Sequence, residues 1–220
     1  MSDANLRFPP GPWSGLFESA MSLIAQVASQ GVKVPSWSMG GGTVLMFYYQ
    51  HRQSKDVDIF ISDPQFLSYL TPRLGGPSES LTMEYKESAN FIKLYLDDGE
   101  IDFVVSSPLT AHPSVPHEVL GHSVLLETPV EIVAKKMWHR GDIATARDLF
   151  DLAFVIENEA DSLRLYPHLF RKHSKAFIEQ CQSRKKFLVP QFEQIDMIGT
   201  QKSYLECLEI VENFFMTLPP

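Results

Sequence analysis

Cysteine is scarce in this chain, and Cys181 and Cys207 show neither metal-ligand spacing nor a dense disulfide pattern. That excludes a disulfide-stapled secreted scaffold and a zinc ribbon, and it suits a reducing compartment. Long hydrophobic runs are missing: Val44 to Tyr49 is far too short for the roughly 20 residues that span a bilayer. The stretch Met1 to Trp13 carries Pro9, Pro10 and Pro12 but no basic-then-apolar secretion signal. Positive net charge is absent too. The formal charge of −8 disfavours general coating of nucleic acid. His112, His117 and His122 recur by fives in a proline-containing stretch, a spacing that suits neither a helical His pair nor a Cys/His site. There are no repeats and no low-complexity tract. The expectation is a soluble cytoplasmic protein with no membrane partner.

What is present can fill a core. With 220 residues and 44% hydrophobic content, the chain suits one large domain or two small ones. Apolar spacing predicts a helix over 14–30, ended by Gly31, and a short strand over 36–39 that feeds three glycines. A helix over 43–51 follows, then a strand over 55–61, then a helix over 64–74 capped by Asp63. Strands are expected at 81–87, 91–96 and 100–105, the last two joined as a hairpin by Asp97-Asp98-Gly99. Residues 106–121 read as loop and 122–126 as a final strand. Beyond Thr128 the pattern turns helical, with helices at 129–140, 145–158, 161–170, 171–183 and 204–216. The organisation is an α/β part over 1–126 and a helical part over 127–220.

The chemistry concentrates in two segments. Gly40-Gly41-Gly42-Thr43 opens onto an apolar stretch, and His51-Arg52-Gln53-Ser54-Lys55-Asp56-Val57-Asp58 follows closely. On a strand, Asp56 and Asp58 point to the same side. Paired carboxylates repel and raise one another's pKa unless a cation lies between them. Magnesium is the natural cation for an oxygen-only pair that leaves room for a substrate phosphate. Glycines let backbone approach a triphosphate, and the helix N-terminus behind them presents free N–H groups to anions. Thr43 adds a hydroxyl, while Arg52 and Ser54 could help position phosphate. The segment therefore reads as a nucleotide-dependent phosphoryl-transfer site; the plainer reading is an edge strand with two exposed acids.

Asp102 is the third acid of interest. If its strand neighbours that of Asp56 and Asp58, three carboxylates converge, a set able to bind two metals and help deprotonate a hydroxyl. In the helical half, Lys136 and Arg140 lie four apart on one face, as do Arg147 and Asp151. Thr145 with Asp148 fits a helix N-terminal box. Residues 171–186 carry Arg171, Lys172, Lys175, Arg184, Lys185 and Lys186 against Glu179 alone. Such a patch is more often the wet face of a helix than an RNA-binding surface.

Four blocks resemble the AbiEii/AbiGii family of nucleotidyltransferases, a branch of the polymerase-β-like superfamily with many type IV toxin members. They are Gly41-Gly42-Thr43, His51-Arg52-x-Ser54-x-Asp56-x-Asp58, Glu131-Ile132-Val133-Ala134-x-Lys136 and Arg147-Asp148-Leu149-Phe150-Asp151. They come in family order over about half of the chain. The resemblance implies an α+β fold: a nucleotidyltransferase-like mixed β-sheet with flanking helices, then a helical half that completes the cleft. It implies that Gly42, Thr43 and Lys136 serve the triphosphate and that Asp56 and Asp58 bind Mg2+; with the reading of the residues beside it, Gly41, Arg52, Ser54 and Arg147 join the triphosphate set and Asp102 the metal set. Lys136, with Asp148 or Asp151, would complete the site from the helical side. Thr43 stands where the wider superfamily usually has Ser. The implied reaction moves NMP from an NTP to a hydroxyl on a tRNA end or a protein, with a cognate antitoxin as a further partner. The alternative is an inactive nucleotide- or partner-binding module on the same fold.

Overall fold

Val57, Ile59 and Ile61 alternate with Asp58 and Phe60, and the three aliphatics are buried while the other two are half-exposed. Each fully buried aliphatic of this size contributes about 1.5–3 kcal/mol. That alternation places the strand at the centre of a mixed sheet. The computed structural model describes residues 6–219, so the first five residues of the proline-bearing N-terminal stretch lie outside the described residues. The chain forms two compact units. The first comprises residues up to Phe47, Ser54–Ser107 and Ser114–Glu127. The second comprises Tyr48–Gln53, Pro108–Pro113 and the chain from Thr128 onward. A boundary drawn from sequence near 126 thus omits two short segments, 48–53 and 108–113, that sort with the helices.

In the first unit, strands β1 (Trp37–Gly40), β2 (Val57–Ile61), β3 (Tyr85–Ser88), β4 (Phe91–Leu96), β5 (Gly99–Val105), β6 (Ser114–Val119) and β7 (His122–Glu127) make one seven-stranded sheet. Its order is β3-β4-β5-β2-β1-β7-β6. β2 runs parallel to β5 and β1 parallel to β7, whereas the other neighbours are antiparallel. Helix α1 (Trp13–Ser29) packs Leu16, Phe17, Ala20, Leu23, Ile24 and Val27 inward, with β2 and β5 among its neighbours. Helix α2 (Gly41–Tyr49) is apolar almost all round, as a core helix must be, and Val44 to Phe47 are fully buried.

The second unit is helical: α4 (Pro129–Arg140), α5 (Ala146–Arg164), α6 (Pro167–Ser183), α7 (Lys185–Glu193) and α8 (Tyr204–Thr217). Its core includes Leu149, Phe150, Ala153, Phe170, Phe177 and Val211. Thr128 caps α4 by accepting from the Glu131 backbone N–H, with Pro129 at the first helical position. Thr145 does the same for α5.

Several elements differ from the sequence reading. The helix expected over 64–74 is broken into a 3-10 turn at Pro64–Phe66, α3 (Leu67–Leu70) and a second 3-10 turn at Pro72–Leu74. Thr71 is extended (ψ 130°) because the proline behind it disfavours helical backbone. The strand expected over 81–87 is confined to β3, with a 3-10 turn at Pro77–Ser80 before it. The loop expected over 106–121 contains β6, which tolerates Pro116 as an edge strand. β6 turns into β7 through Leu120 and Gly121, both at positive φ. The helices expected at 145–158 and 161–170 are one helix, α5, kinked at Glu159, and α6 begins earlier than expected, at Pro167. Helix α7 has no counterpart among the expected elements, and it holds Pro190 within it. Among the described residues, no helix is long and apolar enough to cross a membrane.

Candidate active site

Gly40 to Thr43 carry the chain from β1 into α2. Gly41 has φ +72°, and a Cβ there would run into the Asp58 carboxylate. Both facts demand glycine. Its bare Cα lets Asp58 lie against the first turn of α2, where unbonded N–H groups favour negative charge. Gly42, one residue on, is half-buried. Thr43 is fully buried; its hydroxyl donates to the Asp56 carbonyl oxygen at 2.5 Å and lies 3.0 Å from the Ser54 hydroxyl. The two hydroxyls assigned to phosphate from sequence are thus engaged with each other, and that of Thr43 also fastens the residue leading into β2.

Asp58 and Asp102 are register partners on parallel β2 and β5, so their side chains share one face of the sheet. On its other flank Asp102 faces Lys93 of β4, whose Nζ is 2.8 Å from Asp102 Oδ2. The same ammonium also pairs with Glu100. Asp102 Oδ1 is buried and has no hydrogen-bond partner. Asp56 stands one residue before β2, and its Oδ1 accepts from the Glu100 backbone N–H at 3.2 Å. Burial raises the Asp102 pKa; Lys93 opposes this, while the charges of Glu100 and Asp56 add to it. Burial works against the Lys93 ammonium, but Asp102 and Glu100 outweigh it and push its pKa up. One ammonium serves two acids.

The second unit holds the other predicted residues, and all but Arg147 belong to a buried charge cluster. Asp151 is fully buried. It accepts from His51 Nε2 at 2.9 Å, from Arg52 Nε at 2.7 Å and Nη2 at 2.9 Å, and from Lys136 Nζ at 2.5 Å. Asp148 lies 3.1 Å from Lys136 Nζ, and accepts from Arg140 Nη2 at 2.7 Å and the Thr145 hydroxyl at 2.8 Å. Burial alone would raise both acids, yet Arg52 and Lys136 hold Asp151 well below the carboxylate range, and Lys136 and Arg140 lower Asp148. His51 stacks on Phe150 with rings 6° from parallel, and burial lowers its pKa. Lys136, Arg140 and Asp148 line a small cleft with Val133, Met137, Leu152 and Phe177. The sequence reading set Arg147 beside Asp151 on one helix face; instead Arg147 is exposed and makes no hydrogen bond or ion pair among the described residues, while Asp151 is sealed inside. Asp151 and Arg52 are therefore held as structural partners of each other.

The model of the family described as "Nucleotidyl transferase AbiEii toxin, Type IV TA system" matches residues 22–206, most of the chain and every block described above. The chain belongs to this family. It is a nucleotidyltransferase, with an NTP as its substrate. No curated protein matches the chain. Among solved structures, JHP933 from Helicobacter pylori is 16% identical, with 93% of each chain covered and a TM-score of 0.45. The Bradyrhizobium diazoefficiens CD-NTase CdnG, solved in complex with GTP, is 13% identical over 98% of this chain and 88% of its own, with a TM-score of 0.35. At those scores neither likeness adds to what the family match shows.

In this AbiEii nucleotidyltransferase, Asp56 and Asp58 suit a divalent cation by donor type, oxygen only, and Gly41 leaves the Asp58 carboxylate the room that a Cβ would take. Among the described residues, no group of three or more His, Cys, Asp or Glu side chains stands close enough to hold a metal. The fit is therefore of a carboxylate pair, to be completed by substrate oxygens. Sequence reasoning missed two residues. Lys93 was legible only as one lysine in an alternating strand, because register alone sets it against Asp102. Glu131 was quoted only within its block. It is fully buried and gathers the loop at 108–113, accepting from the Leu109 and Thr110 backbone N–H groups at 2.9 Å and from the Thr110 hydroxyl at 2.7 Å.

Proposed function

We propose that the chain transfers a nucleoside monophosphate from an NTP to an acceptor hydroxyl in a magnesium-dependent reaction, with toxin-like growth inhibition as the outcome. The observation that carries this reading is the register of Asp58 with Asp102, with Asp58 seated against the glycine turn at the start of α2. Asp56 and Asp58 would hold the magnesium, which when bound neutralises charge on the triphosphate. The acceptor oxygen bonds to the α-phosphorus as the bond to the bridging oxygen breaks and pyrophosphate departs. The hydroxyl proton passes to a carboxylate oxygen, and Asp102 Oδ1, buried and without a hydrogen-bond partner, is suited to take it. Rate enhancement then comes from positioning and charge compensation rather than from a covalent intermediate.

The acceptor in this reading is a tRNA end or a protein side chain. Exposed Arg171, Lys172 and Lys175 on α6, Arg184 between the helices, and Lys185 and Lys186 on α7 favour RNA. A cognate antitoxin belongs to the same reading. The test is incubation with Mg2+, each labelled NTP in turn, and total RNA or protein. Label should appear on an acceptor with wild type and disappear with Asp58→Asn at unchanged melting temperature. Growth arrest on expression should be abolished by Asp56→Ala. Undiminished transfer by Asp58→Asn would refute the assignment.

A further inference from the structure

We infer that Lys93 withdraws Asp102 from the metal-binding set, leaving Asp56 and Asp58 to hold a single divalent ion; this rests on the nucleotidyltransferase reading above. A site that engaged all three acids would ordinarily suit two ions. In this chain Asp102 Oδ2 is bonded to the Lys93 ammonium at 2.8 Å, which leaves Oδ1 alone open.

The pairing is set by backbone register. Lys93 on β4 stands directly opposite Asp102 on β5, which stands beside Asp58 on β2, so lysine, acid and acid form one row across three strands. Glu100, two residues before Asp102 and on the same face, grips the same ammonium. The Lys93 side chain is only a quarter exposed, so solvent screens the pair less than a surface ion pair. A second divalent ion bound through Asp102 would lie beside this fixed positive charge and be repelled by it. The open Oδ1 remains able to accept one hydrogen bond, as from an incoming hydroxyl. Lys93 is thus a positioning residue: it acts through Asp102 and sets how many ions the acidic row admits.

The experiment is Mn2+ titration of the full chain, with free Mn2+ read by electron paramagnetic resonance. Wild type and Lys93→Arg should bind one ion, because either side chain supplies the cation. Lys93→Met, which keeps length and loses charge, should bind a second ion, or bind Mn2+ about tenfold more tightly, the scale of one lost charge-assisted hydrogen bond. Asp102→Asn provides an arm that does not depend on how Lys93→Met folds: it should leave the affinity of the first ion within about twofold of wild type, far less than loss of a charged partner costs. Equal ion counts and affinities in wild type and Lys93→Met, or a loss of Mn2+ binding in Asp102→Asn, overturn the role given to Lys93. If Asp58→Asn then still abolishes binding, the nucleotidyltransferase site stands without that role. Mn2+ binding indifferent to Asp58→Asn overturns both.

Discussion

Replacing Asp151 by alanine should destabilise the helical unit severely, and the size of the effect follows from its surroundings. The carboxylate is fully buried and accepts from His51, twice from Arg52 and from Lys136. Arg52 is itself 3% exposed, so its guanidinium cannot turn to water when both bonds are lost. Removing one partner of such a buried pair costs about 3–5 kcal/mol, because the remaining charge stays desolvated. For a chain of this size each kcal/mol lowers the melting temperature by about 2–4 °C, so Asp151→Ala should melt roughly 6–20 °C below wild type. Circular dichroism on heating measures this directly. Asp58→Asn, at the half-exposed acidic row, should lose activity while melting near the wild-type temperature. If Asp151→Ala melts within about 2 °C of wild type, less than 1 kcal/mol on this scale, the cluster is not the structural knot described and Asp151 serves the chemistry instead.

Acidification should weaken the same cluster in two stages. Above about pH 6.5, the ordinary His pKa, His51 is neutral whether folded or unfolded; below it the unfolded chain takes the proton first, since burial lowers the folded pKa, and stability falls. Asp151 contributes stability that is complete above its unfolded pKa of about 3.9 and is lost as pH falls further toward its depressed folded value. Urea midpoints at successive pH values read both stages, and a flat profile from pH 7 to 3 would refute them. Gly41→Ala should cost about 1–2 kcal/mol from its positive φ alone and, by displacing Asp58, cut nucleotidyl transfer at least about tenfold; an active alanine variant would show that the close approach is dispensable. Glu131→Gln should cost about 1–3 kcal/mol and accelerate amide hydrogen exchange at Leu109 and Thr110; unchanged protection there would remove the loop-holding role.

Local signals carried much of this fold. Periodicity located β4 and α4 to the residue, because alternation and a helical apolar spacing each act within a few residues. Where a proline could stand for either a break or an edge, the sequence misled: Pro72 split a helix, whereas Pro116 did not prevent β6. For the site, the Asp56/Asp58 pair and its glycine turn were legible as motifs. The engagement of Thr43 with Ser54 and of Lys136 with Asp148 and Asp151 was not, since residue type cannot tell a phosphate ligand from an internal partner.

By itself the amino-acid order determined the family, the division into an α/β part and a helical part, and the two acids to which the proposal gives the metal, because each is written in short-range spacing. Only tertiary structure decided that Lys93 answers Asp102 across a strand pair, and that Asp151 closes on His51 and Arg52 from about a hundred residues away. Charges pair through space with whatever the fold brings within about 3 Å, and no local pattern in the chain records that distance.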